Sequence, residues 1–318
     1  MVRFPIDIPA PGSRPFDVVG LGLNTTDLLA VIADHPRPGS KQSIERLAYL
    51  PGGQAATAMT TCSRLGWSAR YVGRFGDDPN GAGGLAALRA AGVDVTACKT
   101  VTGATNALSL ILVDASTGQR TILWSRHPGL EMAAGDVPAD AVCSGRVLLL
   151  DCHDTAAATA AARYARAAGI PTVIDVECVR PGVEELLTHI DMIITSQEFP
   201  VEFTGITDLG AALRELNMAY RPAMTCATLG PEGSLALVGE TEIRTAGFEV
   251  SVIDTTGAGD VFRGGFIAGW LLAGSAPNVE QVLIYANAVA ALKCRKLGAR
   301  AGIPNRVEVE TILRRSCM

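Results

Sequence analysis

Short β-branched and leucine-rich runs alternate with alanine-rich stretches of helical periodicity along most of the chain. Because consecutive parallel strands need a crossover, usually a helix, this alternation predicts an α/β fold. We expect a three-layer sandwich in which helices cover both faces of a central, mostly parallel sheet. The predicted strands are 17–21, 69–73, 146–151, 172–175, 192–195, 223–228 and 234–238. The predicted helices are 54–65, 81–91, 155–168, 208–216, 260–272 and 279–293.

Two segments interrupt this alternation. Residues 41–50 form an extended-looking run before a Gly-Gly pair, and residues 107–124 contain two short strands around an Ala-Ser-Thr-Gly turn. We expect these segments to form a small sheet beside the main one, where it would act as a lid. The predicted organisation is one domain over 16–318, with a discontinuous β lid at about 34–51 and 104–126.

Composition excludes several classes of protein. With 318 residues and 48% hydrophobic content, the chain can bury a sizeable core and is not predominantly disordered. A net charge of −5 argues against binding to nucleic acid or an anionic membrane. The eight cysteines are scattered without a C-x-x-C pair, which argues against a zinc ribbon and suits a reducing compartment. The proline-rich start is unlike a signal peptide, so we expect a soluble cytoplasmic protein.

The segment DTTGAGDVFRGGF, 254–266, carries the clearest chemical signal. It is predicted to follow a strand at 248–253 and to lead into an apolar helix. Gly257 and Gly259 permit a tight turn whose backbone N–H groups, together with the helix N-terminus, would form an anion hole. Asp260 is placed either to act as a general base beside that hole or simply to cap the helix.

The segment 254–266 closely resembles the C-terminal signature of the ribokinase-like (PfkB) carbohydrate kinases, and 52–81 resembles their N-terminal signature. The two signatures occur in order and at family spacing, so the resemblance covers essentially the whole chain. It implies the α/β fold with a small β lid and ATP-dependent phosphorylation of a hydroxyl group. It also implies that Asp260 is the catalytic base and that Gly257, Ala258 and Gly259 form the anion hole.

The resemblance also implies a nucleotide site. The chain has no Walker A motif, in keeping with a family that holds phosphates on its glycine turn instead. Thr228, Gly230 and Gly233 in TLGPEG match the nucleotide loop of the family, although this stretch would also suit an ordinary turn. Asn287 falls where the family lines its adenine pocket, and it could equally be a surface residue of a helix.

Residues on the acceptor side are implied in the same way. Asp27 matches the sugar-binding aspartate, and a carboxylate can accept hydrogen bonds from two hydroxyls of a diol. The other predicted substrate-binding residues are Asn24, Gly52, Gly53, Gln54, Arg126 and His153. Gln54 departs from the common Gly-Gly-Asn of the family. Structural alternatives remain for four of these residues. Asp27 could be a cap or turn residue and Asn24 a turn former, while Arg126 could form a surface ion pair and His153 an ordinary hydrogen bond.

Metal sites are less clear. The family often has an Asn-x-x-Glu element, and here Ser196 and Phe199 stand at its Asn and Glu positions. Glu198 is the nearest carboxylate, and it is either an indirect Mg²⁺ contact through water or a solvated surface residue. Asp254 and the carbonyl of Thr256 resemble positions that hold a monovalent cation such as K⁺ behind the anion hole.

The leading hypothesis is therefore an ATP- and Mg²⁺-dependent kinase that phosphorylates a primary hydroxyl of a sugar or sugar acid, with Asp260 as base. A nucleoside kinase of the same family and a catalytically inactive sugar-binding regulator are the alternatives. Arg126 would favour an anionic acceptor if its guanidinium reached the pocket. A homodimer formed through the lid is the predicted assembly.

Overall fold

The structure is a computed structural model, and it describes residues 2–115, 120–274 and 277–315. The strands are β1 (Phe16–Leu21), β2 (Thr25–Ile32), β3 (Arg46–Gly52), β4 (Ala69–Val72), β5 (Arg74–Gly76), β6 (Lys99–Val101), β7 (Leu108–Asp114), β8 (Arg120–Ser125), β9 (Gly145–Asp151), β10 (Thr172–Val176), β11 (Met192–Ser196), β12 (Met224–Thr228), β13 (Ser234–Val238) and β14 (Thr241–Thr245).

The helices are α1 (Gln54–Arg64), α2 (Pro79–Ala90), α3 (Ala139–Val142), α4 (Thr155–Ala167), α5 (Val183–Leu187), α6 (Glu198–Thr204), α7 (Leu209–Tyr220), α8 (Ala258–Ala273), α9 (Val279–Lys293) and α10 (Arg306–Arg315). All six predicted helices are present, with ends that differ from the prediction by up to four residues. No helix within the described ranges is long and apolar enough to cross a membrane.

The main sheet has the order β14-β13-β12-β11-β10-β9-β1-β4. Strands β4, β1, β9, β10, β11 and β12 run parallel, and β13 and β14 are antiparallel additions at one edge. Alternate strand residues pack on opposite faces: Val147 and Leu149 join helices α1, α8 and α9, whereas Leu148 and Leu150 join α4 and α5. The predicted three-layer α/β arrangement is therefore confirmed.

A second sheet has the order β3-β2-β7-β8, and we call it the lid sheet. Strands β3, β7 and β8 come from the two segments that the sequence assigned to a lid, but β2 does not. The sequence indicated a loop around Asn24 and Asp27. Asn24 does lie in a loop, but Asp27 belongs to β2, which was not predicted. Strand β2 is mostly buried along its length, so it lacks the alternation of polar and apolar residues that marks a half-exposed strand. The predicted turn between β7 and β8 lies largely outside the described residues.

The predicted strand at 248–253 is wrong. Residues 246–256 have no regular secondary structure, and Val252 and Ile253 are 59% and 57% exposed. The run of β-branched residues suggested a strand, but the sheet already ends at β14, and the chain passes across the ends of the strands instead. This path brings the glycine turn of α8 to the carboxyl edge of the main sheet.

Candidate active site

Two adjoining cavities lie at the carboxyl ends of the parallel strands. The lid cavity, of about 510 Å³, lies between the lid sheet and the ends of β9 and β10. The loop cavity, of about 650 Å³, lies between the 228–233 loop, the 247–252 segment and α9. Both cavities are lined by Thr228, Gly230, Thr255, Ala258 and Gly259, so they meet at the start of α8. In open α/β sheets this crevice beyond the strand ends is the usual place for a ligand.

The start of α8 forms the boundary between the cavities. Gly257 takes the left-handed conformation, with φ of 73°, which lets the chain turn sharply into the helix. An added Cβ on Gly257 would also lie 2.7 Å from the Cβ of Ala299, so no larger residue fits without displacing Ala299. The N–H group of Ala258 donates to the Thr255 carbonyl at 3.1 Å, so an anion would be received by the N–H groups that follow it in this first turn, together with the helix dipole.

Asp260 lies in the first turn of α8 and lines the lid cavity. The N-cap of α8 is Gly257, and Asp260 is the third residue of the helix, so its side chain does not occupy the N-cap position. Burial, against the attraction of Arg263 and with the repulsion of Asp27 and Asp151, raises the pKa of Asp260 to about 6. A carboxylate with a pKa near neutrality is suited to accept a proton.

Arg263 and Asp175 form a buried ion pair beneath Asp260. Their N–O distance is 2.9 Å, and both side chains are 4% exposed. Burial raises the pKa of Asp175, although Arg263 opposes the change. The guanidinium of Arg263 pairs with Asp175 through Nη2, and its buried Nε atom has no hydrogen-bond partner among the described residues.

The predicted nucleotide residues line the loop cavity. Thr228 and Gly230 lie between the two cavities, and Gly233, with φ of 95°, allows the chain to turn beside the cavity wall. The amide of Asn287 donates to Thr245 Oγ1 at 2.9 Å, so this residue is buried and is not a surface residue of α9. Apolar side chains complete the wall, namely Phe248, Val250 and Val252.

Of the predicted acceptor residues, Asp27, Gly53, Gln54, Arg126 and His153 line the lid cavity. The Oδ1 atom of Asp27 accepts a hydrogen bond from Thr25 Oγ1 at 2.8 Å, and burial raises the pKa of Asp27. Gln54 Oε1 and His153 Nε2 are buried and have no hydrogen-bond partner among the residues that the structure describes. Such unpaired polar atoms are costly unless a ligand or water satisfies them.

Two predicted acceptor residues lie behind this wall. The amide of Asn24 donates to the Arg74 carbonyl at 2.7 Å, and Gly52 offers its carbonyl to the guanidinium of Arg300. Neither residue lines the lid cavity. These bonds support the turn that carries Gly53, while Asn24 Oδ1 is buried with no hydrogen-bond partner among the described residues.

Arg126 lines the lid cavity, but its charge is matched. Its Nη1 and Nη2 atoms donate to the two carboxylate oxygens of Asp154 at 2.6 and 2.7 Å. The Arg126 side chain is 17% exposed and the Asp154 side chain is 7% exposed. The two guanidinium N–H donors that would bind an anionic acceptor are therefore already bonded to Asp154.

The predicted metal residues occupy two places. Glu198 is exposed at the start of α6 and accepts a hydrogen bond from Gln197 Nε2 at 3.0 Å. Asp254 is buried, and its carboxylate accepts from the N–H groups of Thr256 at 2.8 Å and Gly298 at 2.6 Å. Burial opposes ionisation of Asp254, but Lys293 and these hydrogen bonds together lower its pKa. Among the described residues no cluster of three or more His, Cys, Asp or Glu could hold a metal ion.

Sequence reasoning missed several residues of the lid cavity. Arg120, on β8, donates to Thr255 Oγ1 at 2.6 Å and so connects the lid sheet to the glycine turn. Trp124, also on β8, lines the cavity from the lid side and is 64% exposed. Asp175 and Glu177 line the cavity at the end of β10. The signal for these two was available, because carboxylates at the ends of parallel strands face the ligand crevice.

Comparison with known proteins assigns the family. Residues 16–306 match the model of the pfkB family carbohydrate kinases. The chain is 25% identical over 295 residues to a ribokinase of Bacillus subtilis, covering 92% of this chain and 98% of that protein. It is 28% identical over 291 residues to fructokinase-1 of Zea mays, covering 84% of this chain and 89% of that protein.

Solved structures agree with this assignment. A candidate ribokinase from Agrobacterium tumefaciens superposes with a TM-score of 0.86 at 26% identity, covering 95% of this chain and 98% of that one. The family match extends over both cavities and the lid sheet. The chain therefore belongs to the pfkB family of carbohydrate kinases, which are phosphotransferases with an alcohol group as acceptor.

Proposed function

We propose that this chain is an ATP-dependent kinase that transfers the γ-phosphoryl group to a primary hydroxyl of a sugar, with Asp260 as the general base. One observation carries the proposal: a carboxylate with a pKa of about 6 lies in the lid cavity, beside the anion hole shared by both cavities. An acceptor hydroxyl in the lid cavity and a phosphoryl group on the turn would then meet at Asp260.

The loop cavity suits ATP. Its apolar wall of Phe248, Val250 and Val252 offers a surface for the adenine ring, and the phosphates would extend toward Ala258 and Gly259. Thr228 and Gly230 would face the nucleotide at the boundary. Mg²⁺ would be carried with the phosphates, and Glu198 would orient its water, since Mg²⁺ keeps several waters and needs few protein ligands.

The lid cavity suits a polyhydroxy acceptor. The carboxylate of Asp27 and the unpaired atoms Gln54 Oε1 and His153 Nε2 can each exchange a hydrogen bond with a hydroxyl. Burial and the nearby charge of Arg180 together lower the pKa of His153 to about 4, so this imidazole is neutral at pH 7. A neutral imidazole and a paired Arg126 favour a neutral sugar over a sugar acid.

The chemistry follows from this arrangement. Asp260 accepts the proton of the primary hydroxyl while the acceptor oxygen bonds to the γ-phosphorus, and the bond from that phosphorus to the β–γ bridging oxygen breaks to release ADP. The anion hole holds the charge that develops on the phosphoryl oxygens. The lid sheet excludes water, which would otherwise compete as the acceptor.

A nucleoside is the second candidate acceptor. Trp124 lines the lid cavity together with Ile111 and Ile122, and an aromatic side chain beside two apolar ones could cover a base. The sequence provided no aromatic residue beside Asp27 or Gly53, so this observation comes from the fold alone.

We further propose a homodimer through the lid, in a cytoplasmic setting. Exposed apolar side chains lie on the face of the lid sheet away from the cavity, namely Leu47, Tyr49 and Leu123. A second copy of the sheet would cover such a patch. The cysteines in the described ranges are unpaired, which suits a reducing compartment. Light scattering across a dilution series, with Leu47→Lys as the disrupting variant, tests the dimer.

The decisive experiment is an acceptor panel. ADP release with ATP and Mg²⁺ is measured for neutral sugars, sugar acids and nucleosides at equal concentration, and mass spectrometry and phosphorus NMR locate the new phosphate. We expect the highest kcat/KM with a neutral sugar and phosphate on its primary hydroxyl. A nucleoside as the best acceptor would overturn the proposal, and Trp124→Ala should then lower kcat/KM for nucleosides only. Tight sugar binding without turnover would identify a regulator instead.

A further inference from the structure

Lys293, the last residue of α9, has a fully buried side chain with 0% exposure. Its Nζ atom donates to the main-chain carbonyl of Asp254 at 2.8 Å. Lysine is among the residues least often buried, because removing an ammonium group from water is costly unless nearby groups compensate. A lysine at this depth, bonded to the first residue of the glycine-turn signature, calls for a functional explanation.

The groups around Lys293 are arranged to hold the chain at 254–257. The carboxylate of Asp254 accepts from Thr256 N–H and Gly298 N–H, while its carbonyl accepts from Lys293. The charged and titratable groups that act on Lys293 are Asp254, Cys294, Asp260 and Arg120. Of these, the two carboxylates attract the ammonium, and Asp260 is the proposed catalytic base. Burial lowers the pKa of Lys293, and the charge of Asp254 opposes that change. As an ammonium ion, Lys293 places a positive charge behind the anion hole.

The sequence resemblance implied a monovalent cation at this place, held by Asp254 and the Thr256 carbonyl. The residues present do not fit that ion. The ammonium group of Lys293 is bonded to the main-chain carbonyl of Asp254, the residue that was expected to hold the ion, so a positive group already stands at this place. A metal cation beside it would sit against a like charge in a buried, poorly screened environment.

We infer that Lys293 replaces the monovalent cation, so that this kinase carries its own positioning charge and works without K⁺. This inference rests on the proposed function. The ammonium fixes the Asp254 carbonyl, and through it the backbone N–H groups of the glycine turn that receive the phosphoryl group. Lys293 is a positioning residue, because it lies behind the turn and lines neither cavity.

The test compares wild type with Lys293→Ala in about 100 mM KCl or tetramethylammonium chloride, which keeps ionic strength constant while excluding the larger cation from a small site. Wild-type kcat/KM should change by less than about twofold between the salts. Lys293→Ala should lose about tenfold or more of kcat/KM, mainly through the KM for ATP, and K⁺ should restore part of this loss. The matched control is Lys296→Ala, at an exposed lysine three residues after Lys293. It should behave like wild type.

A second readout does not depend on turnover. Thermal unfolding should show that K⁺ raises the melting temperature of Lys293→Ala but leaves that of wild type unchanged, because a ligand stabilises only the state that binds it. If the alanine variant does not fold, Lys293→Gln is used for the same comparison. The inference is overturned if K⁺ strongly activates or stabilises the wild-type protein. It is also overturned if a folded Lys293 variant shows no change in kcat/KM or melting temperature with K⁺. Absence of turnover in every salt, with the thermal result intact, would contradict only the proposed function.

Discussion

Replacing Asp260 with Asn should separate catalysis from stability. The amide cannot accept the hydroxyl proton, so kcat should fall by ~10² to 10⁴-fold, the usual size of a general-base contribution, while ATP binding stays close to wild type. The wild-type kcat/KM should fall as the pH drops below about 6, because protonation removes the base. The Asn substitution also removes a buried negative charge that lowers the free energy of unfolding of the wild-type protein.

The size of that cost follows from the pKa. The folded-state pKa of Asp260 is raised from 3.8 to about 6, so the folded protein binds this proton more tightly than the unfolded chain does. Stability from this group is therefore greatest at low pH and is lost as the pH rises from about 4 to about 6. The loss is about 1.5 kcal/mol at about pH 5 and about 3 kcal/mol at about pH 8. Asp260→Asn should be more stable than wild type by these amounts.

Urea unfolding of both proteins at the two pH values measures this difference. All other titrating groups are shared, so the change in ΔΔG of unfolding between about pH 5 and about pH 8 reports the charge of Asp260 together with its repulsion of Asp175 and Glu177. If the stability difference between Asp260→Asn and wild type does not grow with pH, burial does not destabilise the charged form of Asp260. A variant that keeps more than about half of wild-type turnover would remove Asp260 from the role of base.

Three further predictions concern the lid. Arg120→Ala breaks the hydrogen bond to Thr255 and should lower kcat/KM by about tenfold, in the range of one charged hydrogen bond, whereas Arg163→Ala at an exposed ion pair should not. Arg126→Ala leaves the Asp154 carboxylate without its ion-pair partner and should lower the free energy of unfolding in urea by about 3 kcal/mol. The double variant with Asp154→Asn should recover much of this loss. An unchanged urea midpoint for Arg126→Ala would contradict the buried pair. Sugar binding should slow amide exchange in β3, β7 and β8 together, and unchanged exchange there would rule out lid closure.

Much of the fold could be predicted because its signals are local. The strands of the main sheet are β-branched runs bounded by alanine-rich helices, and the turn at Gly257 needs a residue that tolerates positive φ. Strand β2 was missed for two reasons. Its sequence, TTDLLAVI, begins with polar residues that also suit a loop, and the strand is buried on both faces, so its residues do not alternate between polar and apolar. The partner of Arg126 could not be predicted, because Asp154 meets it only through tertiary packing.

Lys293 shows most clearly why the site could not be read completely from the sequence. At the end of an alanine-rich helix a lysine normally indicates a solvated charge that complements the helix dipole. The predicted strand at 248–253 would have held the glycine turn by sheet hydrogen bonds, and in its absence the turn depends on the end of α9. The Cys294 carbonyl accepts from the N–H groups of Ile253 at 2.8 Å and Asp254 at 3.2 Å, next to the Lys293 bond. The anion hole is therefore positioned by Lys293 and Cys294 at the end of α9, about 40 residues further along the chain. A local sequence pattern carries no information about such a contact.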